Sequence, residues 1–192
     1  GPVVAAAVVL PVPCPVEGIH DSKRLTPRQR DRLYDAICAH AEAVAVGIAD
    51  VRTIDRVNIL QATRLAMRDA VNGLRTAPDC VLVDALTIPD IPFVQHAIIH
   101  GDSLCLSVAA ASIVAKVTRD RILLELDRQY PGYGFASNKG YPTPDHLAAI
   151  GRLGVCPEHR RSFAPVRAVL EQGKLFELGE ALSIGGSDVG EE

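Results

Sequence analysis

The 192-residue sequence has no apolar run long enough to cross a bilayer. Its longest candidate, residues 3–12, runs into a proline-rich segment and falls well short of the roughly 20 residues that a transmembrane helix needs. The start of the sequence also lacks the basic flank of a secretory signal. We therefore expect a cytoplasmic protein that does not associate with membranes.

The sequence has no CxxC pair either. Its five cysteines are odd in number and widely spaced, which is unlike a disulfide framework or a zinc site. Small buried thiols in a reducing compartment are the ordinary alternative. With 48% hydrophobic and 22% charged residues, the composition is that of a folded chain, and its length suits one domain with a proper core.

An overall basic excess is absent, because the net charge is −3. The acids are concentrated at the end, where residues 171–192 hold six of them and one lysine, so that residues 1–170 carry +2. We expect residues 1–170 to form the folded domain and residues 171–192 to be a flexible acidic tail. Four arginines near His159 fit either a locally basic surface or an ordinary solvated face: Arg152, Arg160, Arg161 and Arg167.

Apolar, β-branched segments alternate with helical patterns along the chain. Strands are predicted at 3–10, 43–49, 80–84 and 93–99. Thr26-Pro27-Arg28-Gln29 has the form of a capping box, which predicts a helix over 27–41, and apolar spacing predicts helices over 58–74 and 107–130. Thr143 and Ser162 are placed to cap two more. Strands interleaved with helices indicate an α/β sheet covered by helices.

Two aspartates follow the third and fourth predicted strands. Asp84 ends one strand, and Asp102 comes three residues after the next. If these strands are neighbours, both carboxylates project from one sheet edge, where they repel unless they share a proton or bind a cation. Such oxygen ligands suit Mg²⁺ or Mn²⁺, ions that hold a phosphodiester and activate water. The commoner alternative is that each aspartate caps a helix or stabilises a turn.

Basic and aromatic residues in loops suggest contacts with a nucleic acid. Lys23 and Lys139 suit phosphate contacts, and Tyr141, in a stiff Gly-Tyr-Pro turn, suits stacking on a sugar or base. Arg160 and Arg161 stand where a helix start can bind an anion. The alternatives are ordinary surface lysines, a half-buried core tyrosine and arginines that pair with a structural carboxylate.

Taken together and in chain order, several segments resemble bacterial ribonuclease HII. The resemblance covers about residues 1–170. It is carried by GPVVAAAVVLP (1–11), DSKRL (21–25), NILQATRLAM (58–67), VLVDA (81–85), GD (101–102), SVAAASIVAKVTRD (107–120), YGFASNKGYPTPDH (133–146) and HRRSF (159–163).

The resemblance implies a ribonuclease H-like fold, with a mixed five-stranded sheet flanked by helices. It implies endonucleolytic cleavage of RNA in RNA–DNA hybrids, and of single ribonucleotides in duplex DNA, with 5′-phosphate and 3′-hydroxyl products. Asp84 would be a direct ligand of Mn²⁺ or Mg²⁺, and Asp102 would complete the catalytic cluster. Lys23 would contact phosphate, and Tyr141 would stack on the sugar at the ribose–deoxyribose junction.

The sequence departs from the family pattern at its start. The family places two further acids in an Asp-Glu-x-Gly-Arg-Gly motif on its first strand, just before the segment that matches 1–3. We therefore expect the first central strand, with two metal ligands, to be missing from this chain. Loss of an inner strand leaves backbone groups unpaired at a cost that marginal stability hardly absorbs. We therefore favour truncation of an active enzyme over a shortened, catalytically dead protein, and we expect little or no nuclease activity from the 192 residues alone.

Two other functions remain open. A non-catalytic nucleic-acid-binding protein of the same fold would bind through Lys23, Lys139 and Tyr141 without cutting. A junction resolvase of the ribonuclease H-like superfamily is less favoured, because a sugar-sensing tyrosine has no use there. For the endonuclease we expect a monomer that recognises duplex shape and 2′-hydroxyls rather than base sequence, with an affinity that falls as salt rises.

Overall fold

The computed structural model describes residues 1–172, in which strands and helices alternate. The strands are β1 (Val3–Val9), β2 (Ala43–Ala49), β3 (Cys80–Asp84) and β4 (Val94–Ile98). The helices are α1 (Pro27–His40), α2 (Val51–Val57), α3 (Ile59–Asn72), α4 (Gly101–Leu104), α5 (Leu106–Gln129), α6 (Phe135–Asn138) and α7 (Pro144–Leu153), and residues 164–172 are also helical. Most of the predicted acidic tail, residues 173–192, lies outside the described residues.

The four described strands form two separate pairs. β1 and β2 are antiparallel, with a register that runs from Val3 opposite Ala49 to Val9 opposite Ala43. β3 and β4 are parallel, and Asp84 at the end of β3 is opposite Ile98. Antiparallel and parallel pairs covered by helices confirm the predicted mixed α/β architecture.

A cleft separates the two strand pairs. Within residues 1–172 no backbone ladder joins β1 to β3, and a cavity of about 530 Å³ lies between them. Residues 4–10 and 80–84 form its walls, and α5 contributes Val108, Ala111 and Ala115 to its lining. Asp84 and Asp102 also line this cavity. A missing central strand stays a prediction.

Helix α5 is the central support of the fold. Its side chains Ala110, Ile113 and Val114 are fully buried against α1 and the strand β1. Small side chains let a helix approach its neighbours closely, as the run of alanines predicts. Further along α5, Leu123 joins a second core with Phe135 from α6. This second core supports the segment that carries Lys139 and Tyr141.

Local sequence signals define several helix ends. The predicted capping box at α1 is confirmed, because Gln29 N donates to Thr26 Oγ1 at 3.3 Å and Thr26 N donates to Gln29 Oε1 at 2.8 Å. Thr143 caps α7, as predicted. The cap predicted at Ser162 is wrong, since the Ser162 hydroxyl binds Asp55 at 2.6 Å instead. In the described part of the chain, no helix is long and apolar enough to cross a membrane.

Candidate active site

Asp84 stands at the carboxyl end of β3 and faces the turn that follows β4. Its Oδ1 accepts a hydrogen bond from the Gly101 backbone N–H at 3.0 Å. A Cβ at Gly101 would lie 3.6 Å from Asp84 Cα, so the two segments pack closely. The hydrogen bond fixes one oxygen of the half-buried carboxylate and ties Asp84 to the segment that carries Asp102.

Asp102 lies in the first turn of the short helix α4 rather than in an extended loop. The residue is 7% exposed, and its Oδ2 is 3.3 Å from Lys23 Nζ. The hydrogen bond from Lys23 and its positive charge partly offset the cost of burying an ionised carboxylate. Acidic first-turn residues are also favoured by the helix dipole in general, although α4 is too short for that effect to dominate.

Lys23 reaches Asp102 from a loop that is held on α5 and α1. The neighbouring Ser22 hydroxyl is 2.9 Å from that of Ser112 on α5, and the Arg30 guanidinium donates to the Ser22 carbonyl at 2.9 Å. The hydrogen bond to Asp102, together with the negative charges of Asp102 and Asp84, raises the pKa of Lys23. The Lys23 side chain is still 81% exposed, so its ammonium group is accessible to a ligand.

Lys139 and Tyr141 form a second group, held by a residue that sequence reasoning missed. Arg119 on α5 donates from Nη2 to the Lys139 carbonyl at 3.1 Å, and its Cζ is 5.9 Å from the centroid of the Tyr141 ring. Lys139 and Gly140 both adopt positive φ, at 52° and 75°, which turns the chain sharply before the tyrosine. Tyr141 is 61% exposed, so the alternative of a half-buried core tyrosine is not what the structure shows.

Arg160 is half-buried and packs beside the residues that precede β1. Its Nε donates to the Gly1 carbonyl at 3.0 Å and its Nη2 to the Pro2 carbonyl at 3.5 Å. The guanidinium also lies 4.9 Å from the ring centroid of Phe163. These contacts give Arg160 a structural role, and a substrate contact by Arg160 stays a prediction.

The predicted anion site near Arg161 contains a carboxylate of the chain itself. The backbone N–H groups of Arg161 and Ser162 each donate to Asp55 at 2.9 Å. Burial opposes ionisation of Asp55, but the hydrogen bonds from Ser162 and Arg161 outweigh it and lower the pKa of this carboxyl. The backbone of this turn is therefore satisfied internally, which leaves only the exposed Arg161 side chain for a substrate contact.

Comparison with known proteins decides the family. The family model described as Ribonuclease HII matches residues 1–166. The chain belongs to the ribonuclease HII family. The chain is 56% identical over 171 residues to ribonuclease HII of Geobacillus kaustophilus, and 54% identical over 170 residues to that of Polaromonas sp.. These matches cover 89% and 88% of the chain, but 65% and 85% of the two relatives, so the chain spans just under two thirds of the first.

A solved ribonuclease H2 supports the same fold. The crystal structure of the enzyme from Pyrococcus horikoshii superposes with a TM-score of 0.72 at 27% identity, over 91% of this chain and 92% of that one. The ribonuclease H-like architecture expected from the sequence is therefore confirmed.

The carboxylates near Lys23 that could bind a divalent cation are those of Asp84 and Asp102. Within residues 1–172, no group of three or more His, Cys, Asp and Glu side chains is arranged to hold a metal ion. Asp84 and Asp102 nevertheless offer hard oxygen ligands on one cavity wall, and Mg²⁺ sites commonly use one or two carboxylates with water and substrate phosphate. The two aspartates therefore fit a largely hydrated Mg²⁺ or Mn²⁺, in competition with the Lys23 ammonium.

The structure thus divides the predicted site residues of this chain into three groups. Asp84, Asp102 and Lys23 come together. Lys139 and Tyr141 share the loop held by Arg119. Arg160 lies beside the residues that precede β1, and Arg161 lies beside Asp55. Sequence reasoning missed Arg119 and Asp55. Their contacts span 20 and 106 residues along the chain, so no local pattern points to them.

Proposed function

We propose that the chain is the catalytic domain of an endoribonuclease. It would hydrolyse the RNA strand of RNA–DNA hybrids and single ribonucleotides embedded in duplex DNA, leaving 5′-phosphate and 3′-hydroxyl ends. The observation that carries this proposal is the meeting of Asp84, Asp102 and an exposed Lys23 at one end of the cleft. Membership of the ribonuclease HII family supports it. We also propose that the protein acts in the cytoplasm as a monomer.

In this proposal Asp84 and Asp102 are the catalytic residues and hold Mg²⁺ or Mn²⁺. When bound, such an ion neutralises phosphate charge and lowers the pKa of a coordinated water. Asp84 keeps one oxygen on the Gly101 N–H, which orients its other oxygen. Lys23 compensates the charge of Asp102 in the free protein. Because its side chain is exposed, Lys23 can turn to a phosphate oxygen of the substrate.

The second group of residues would recognise the duplex. The exposed Tyr141 ring offers a flat surface for a sugar, and Lys139 and Arg161 offer charge to the phosphates. Arg160 would contribute indirectly, by holding the residues that precede β1. Such contacts distinguish duplexes by shape and by the 2′-hydroxyl, and their affinity falls as salt rises.

We further propose that the 192 residues alone cut weakly or not at all. The described residues provide two carboxylates, and one of them is paired with Lys23, so a divalent ion would have few protein ligands. A non-catalytic binding protein is the second candidate, and the lack of a three-ligand cluster within residues 1–172 favours it. Detectable cutting with Mn²⁺ or Mg²⁺ would exclude the non-catalytic protein, and Mn²⁺ binding that depends on Asp84 and Asp102 separates the two where no cutting is detected.

The test combines binding and cleavage on the same labelled duplexes, one with a single ribonucleotide and one of DNA alone. We expect preferential binding of the ribonucleotide duplex, weak Mn²⁺ binding, and loss of both Mn²⁺ binding and any residual cutting in Asp84→Asn and Asp102→Asn. Duplex binding should persist in both variants. Asp90→Asn is the matched control, because Asp90 is exposed in a nearby loop and contacts only Arg68 at 3.8 Å among the described residues. Equal binding of the two duplexes, or Mn²⁺ binding unchanged by both substitutions, would contradict the proposal.

A further inference from the structure

Two histidines that the proposed chemistry does not use lie in contact beneath the Tyr141 loop. His146, in the first turn of α7, and His159, in the turn before residues 164–172, are 4% and 5% exposed. Their Nε2 atoms are 3.1 Å apart. Tyr133 and Phe135 pack against the imidazole rings, with centroids 5.0 to 5.5 Å away. Within the described residues, this is a closely packed pair rather than a metal site.

One backbone amide fixes the positions of the protons in this pair. The Cys156 N–H donates to His159 Nδ1 at 3.1 Å, and a backbone N–H can only donate. His159 Nδ1 is therefore unprotonated, and in the neutral ring Nε2 carries the proton and donates to His146 Nε2. His146 must then carry its own proton on Nδ1. Burial lowers the pKa of both rings, so that both are neutral at neutral pH.

His146 is joined to the Tyr141 segment through Thr143, whose Oγ1 accepts the His146 backbone N–H at 3.3 Å. The ring Nδ1 is buried and makes no hydrogen bond within residues 1–172, and the Tyr141 backbone only partly offsets the burial that lowers the pKa of His146. The Tyr141 carbonyl already accepts the Thr143 N–H at 2.8 Å. Hydrogen bonds therefore link Cys156 to both histidine rings, and the backbone of His146 is linked through Thr143 to the Tyr141 carbonyl.

We propose that the buried His146–His159 pair positions Tyr141, and so sets how strongly the protein prefers a ribonucleotide-containing duplex to DNA. This inference rests on the proposed function, because it concerns the ring that would meet the sugar. The two histidines are positioning residues, since neither contacts the surface on which a substrate would lie. Arg119 holds the Tyr141 loop through the Lys139 carbonyl, and the histidine pair holds the same loop on the side of Thr143.

The first experiment needs no substrate. Hydrogen exchange of the free protein, followed by NMR, compares His146→Phe, which keeps an aromatic ring, with His146→Gln, which keeps a donor and an acceptor. We expect the Tyr141 and Thr143 amides to exchange about tenfold faster or more in His146→Phe, consistent with the loss of one buried hydrogen-bonding group, and to be largely restored in His146→Gln. The Arg30 amide in α1 should not change. Unchanged exchange at Tyr141 and Thr143 would overturn the inference.

A second variant covers the case in which His146→Phe does not fold. His159→Asn retains an oxygen for the Cys156 N–H but is too short to reach His146, so it removes only the link between the histidines. We expect the same faster exchange at Tyr141 and Thr143. His40→Phe is the matched control, because the exposed His40 ring contacts only the Ala36 carbonyl at 2.9 Å among the described residues.

The second experiment measures duplex preference, defined as the ratio of dissociation constants for all-DNA and ribonucleotide duplexes. We expect Tyr141→Ala to lower this ratio about fivefold or more, the lower end for loss of an aromatic stacking contact, and His146→Phe to lower it about threefold. In the double variant, His146→Phe should add nothing to Tyr141→Ala, because both act through one ring. Additive losses, or equal weakening towards both duplexes, would show a general structural role and overturn the inference. If the unmodified chain shows no preference, the proposed function fails, and the exchange experiment still decides the role of the pair.

Discussion

Acid should destabilise this protein through His159 before most of its carboxylates are protonated. Burial, followed by the neighbouring His146, lowers the pKa of His159 from 6.5 to about 4 in the folded chain. The unfolded chain therefore binds one proton more between these two values, so stability is fully present above pH 6.5 and is lost as the pH falls towards 4. At about pH 4.5, this linkage amounts to about 2 to 3 kcal/mol of unfolding free energy.

Urea unfolding followed by circular dichroism measures this loss. The unfolding free energy typically falls by about 2 kcal/mol per molar urea. The urea concentration at the unfolding midpoint should therefore fall by roughly 1 M between pH 7 and 4.5 from the titration of His159 alone. Asp50 and Asp55 have lowered pKa values and add a loss of the same sign at lower pH. The comparison with His159→Phe removes their contribution, because both aspartates remain in that variant.

The decisive quantity is the difference between the pH dependences of the two proteins. His159→Phe should be less stable at pH 7, because the Cys156 N–H and His146 lose a partner, at a cost of about 1 to 3 kcal/mol. It should then lose less stability on acidification. An identical pH dependence in both proteins, or an NMR titration in which the His159 ring protonates near 6.5, would refute the reasoning.

Two further predictions concern packing and the turn at residues 161–162. Gly47→Ala should destabilise the protein by about 3 kcal/mol or more, because a Cβ there would lie 1.9 Å from the Ala66 carbonyl oxygen of α3. The control, Gly151→Ala, meets nothing within 4 Å and should stabilise α7 by about 0.5 to 1 kcal/mol; thermal melts that rank the two in the opposite order would contradict this packing. Asp55→Ala removes the acceptor of three hydrogen bonds and should lower the melting temperature by a few degrees, for a loss of about 1 kcal/mol, whereas Glu17→Ala, an exposed acid, should not.

Local signals predicted the elements whose ends depend on neighbouring residues. The β2 bounds and the α1 cap follow from a short apolar run and from Thr26-Pro27-Arg28-Gln29. Helix α2 was missed, because its seven residues are too few for a periodic pattern, although Asp50 caps it by accepting from Thr53 N at 2.8 Å. The Ser162 cap was wrong for the opposite reason, since a partner 107 residues away binds the same hydroxyl.

The candidate site was predictable in its residues but not in its contacts. Strand ends and the family resemblance pointed to Asp84 and Asp102, but no pattern indicates that Gly101 N–H holds one and Lys23 the other. The Arg119 contact with Lys139 and the His146–His159 pair likewise arise where helices meet in three dimensions. Sequence spacing predicts which face of one element a residue occupies, and it does not predict what lies opposite.

The cleft between the strand pairs determines how the candidate site keeps its shape. Asp84 and Asp102 line one end of the cleft, and the Lys23 loop is held on α5 and α1 through Ser112 and Arg30. The small residues Ala111 and Ala115 of α5 line the same cleft, and Ala111 is adjacent in sequence to the Ser112 that holds the Lys23 loop. A larger side chain at position 111 would therefore fill part of the cleft one residue away from this anchor, and would test how the support of the site depends on α5 without changing Asp84, Asp102 or Lys23.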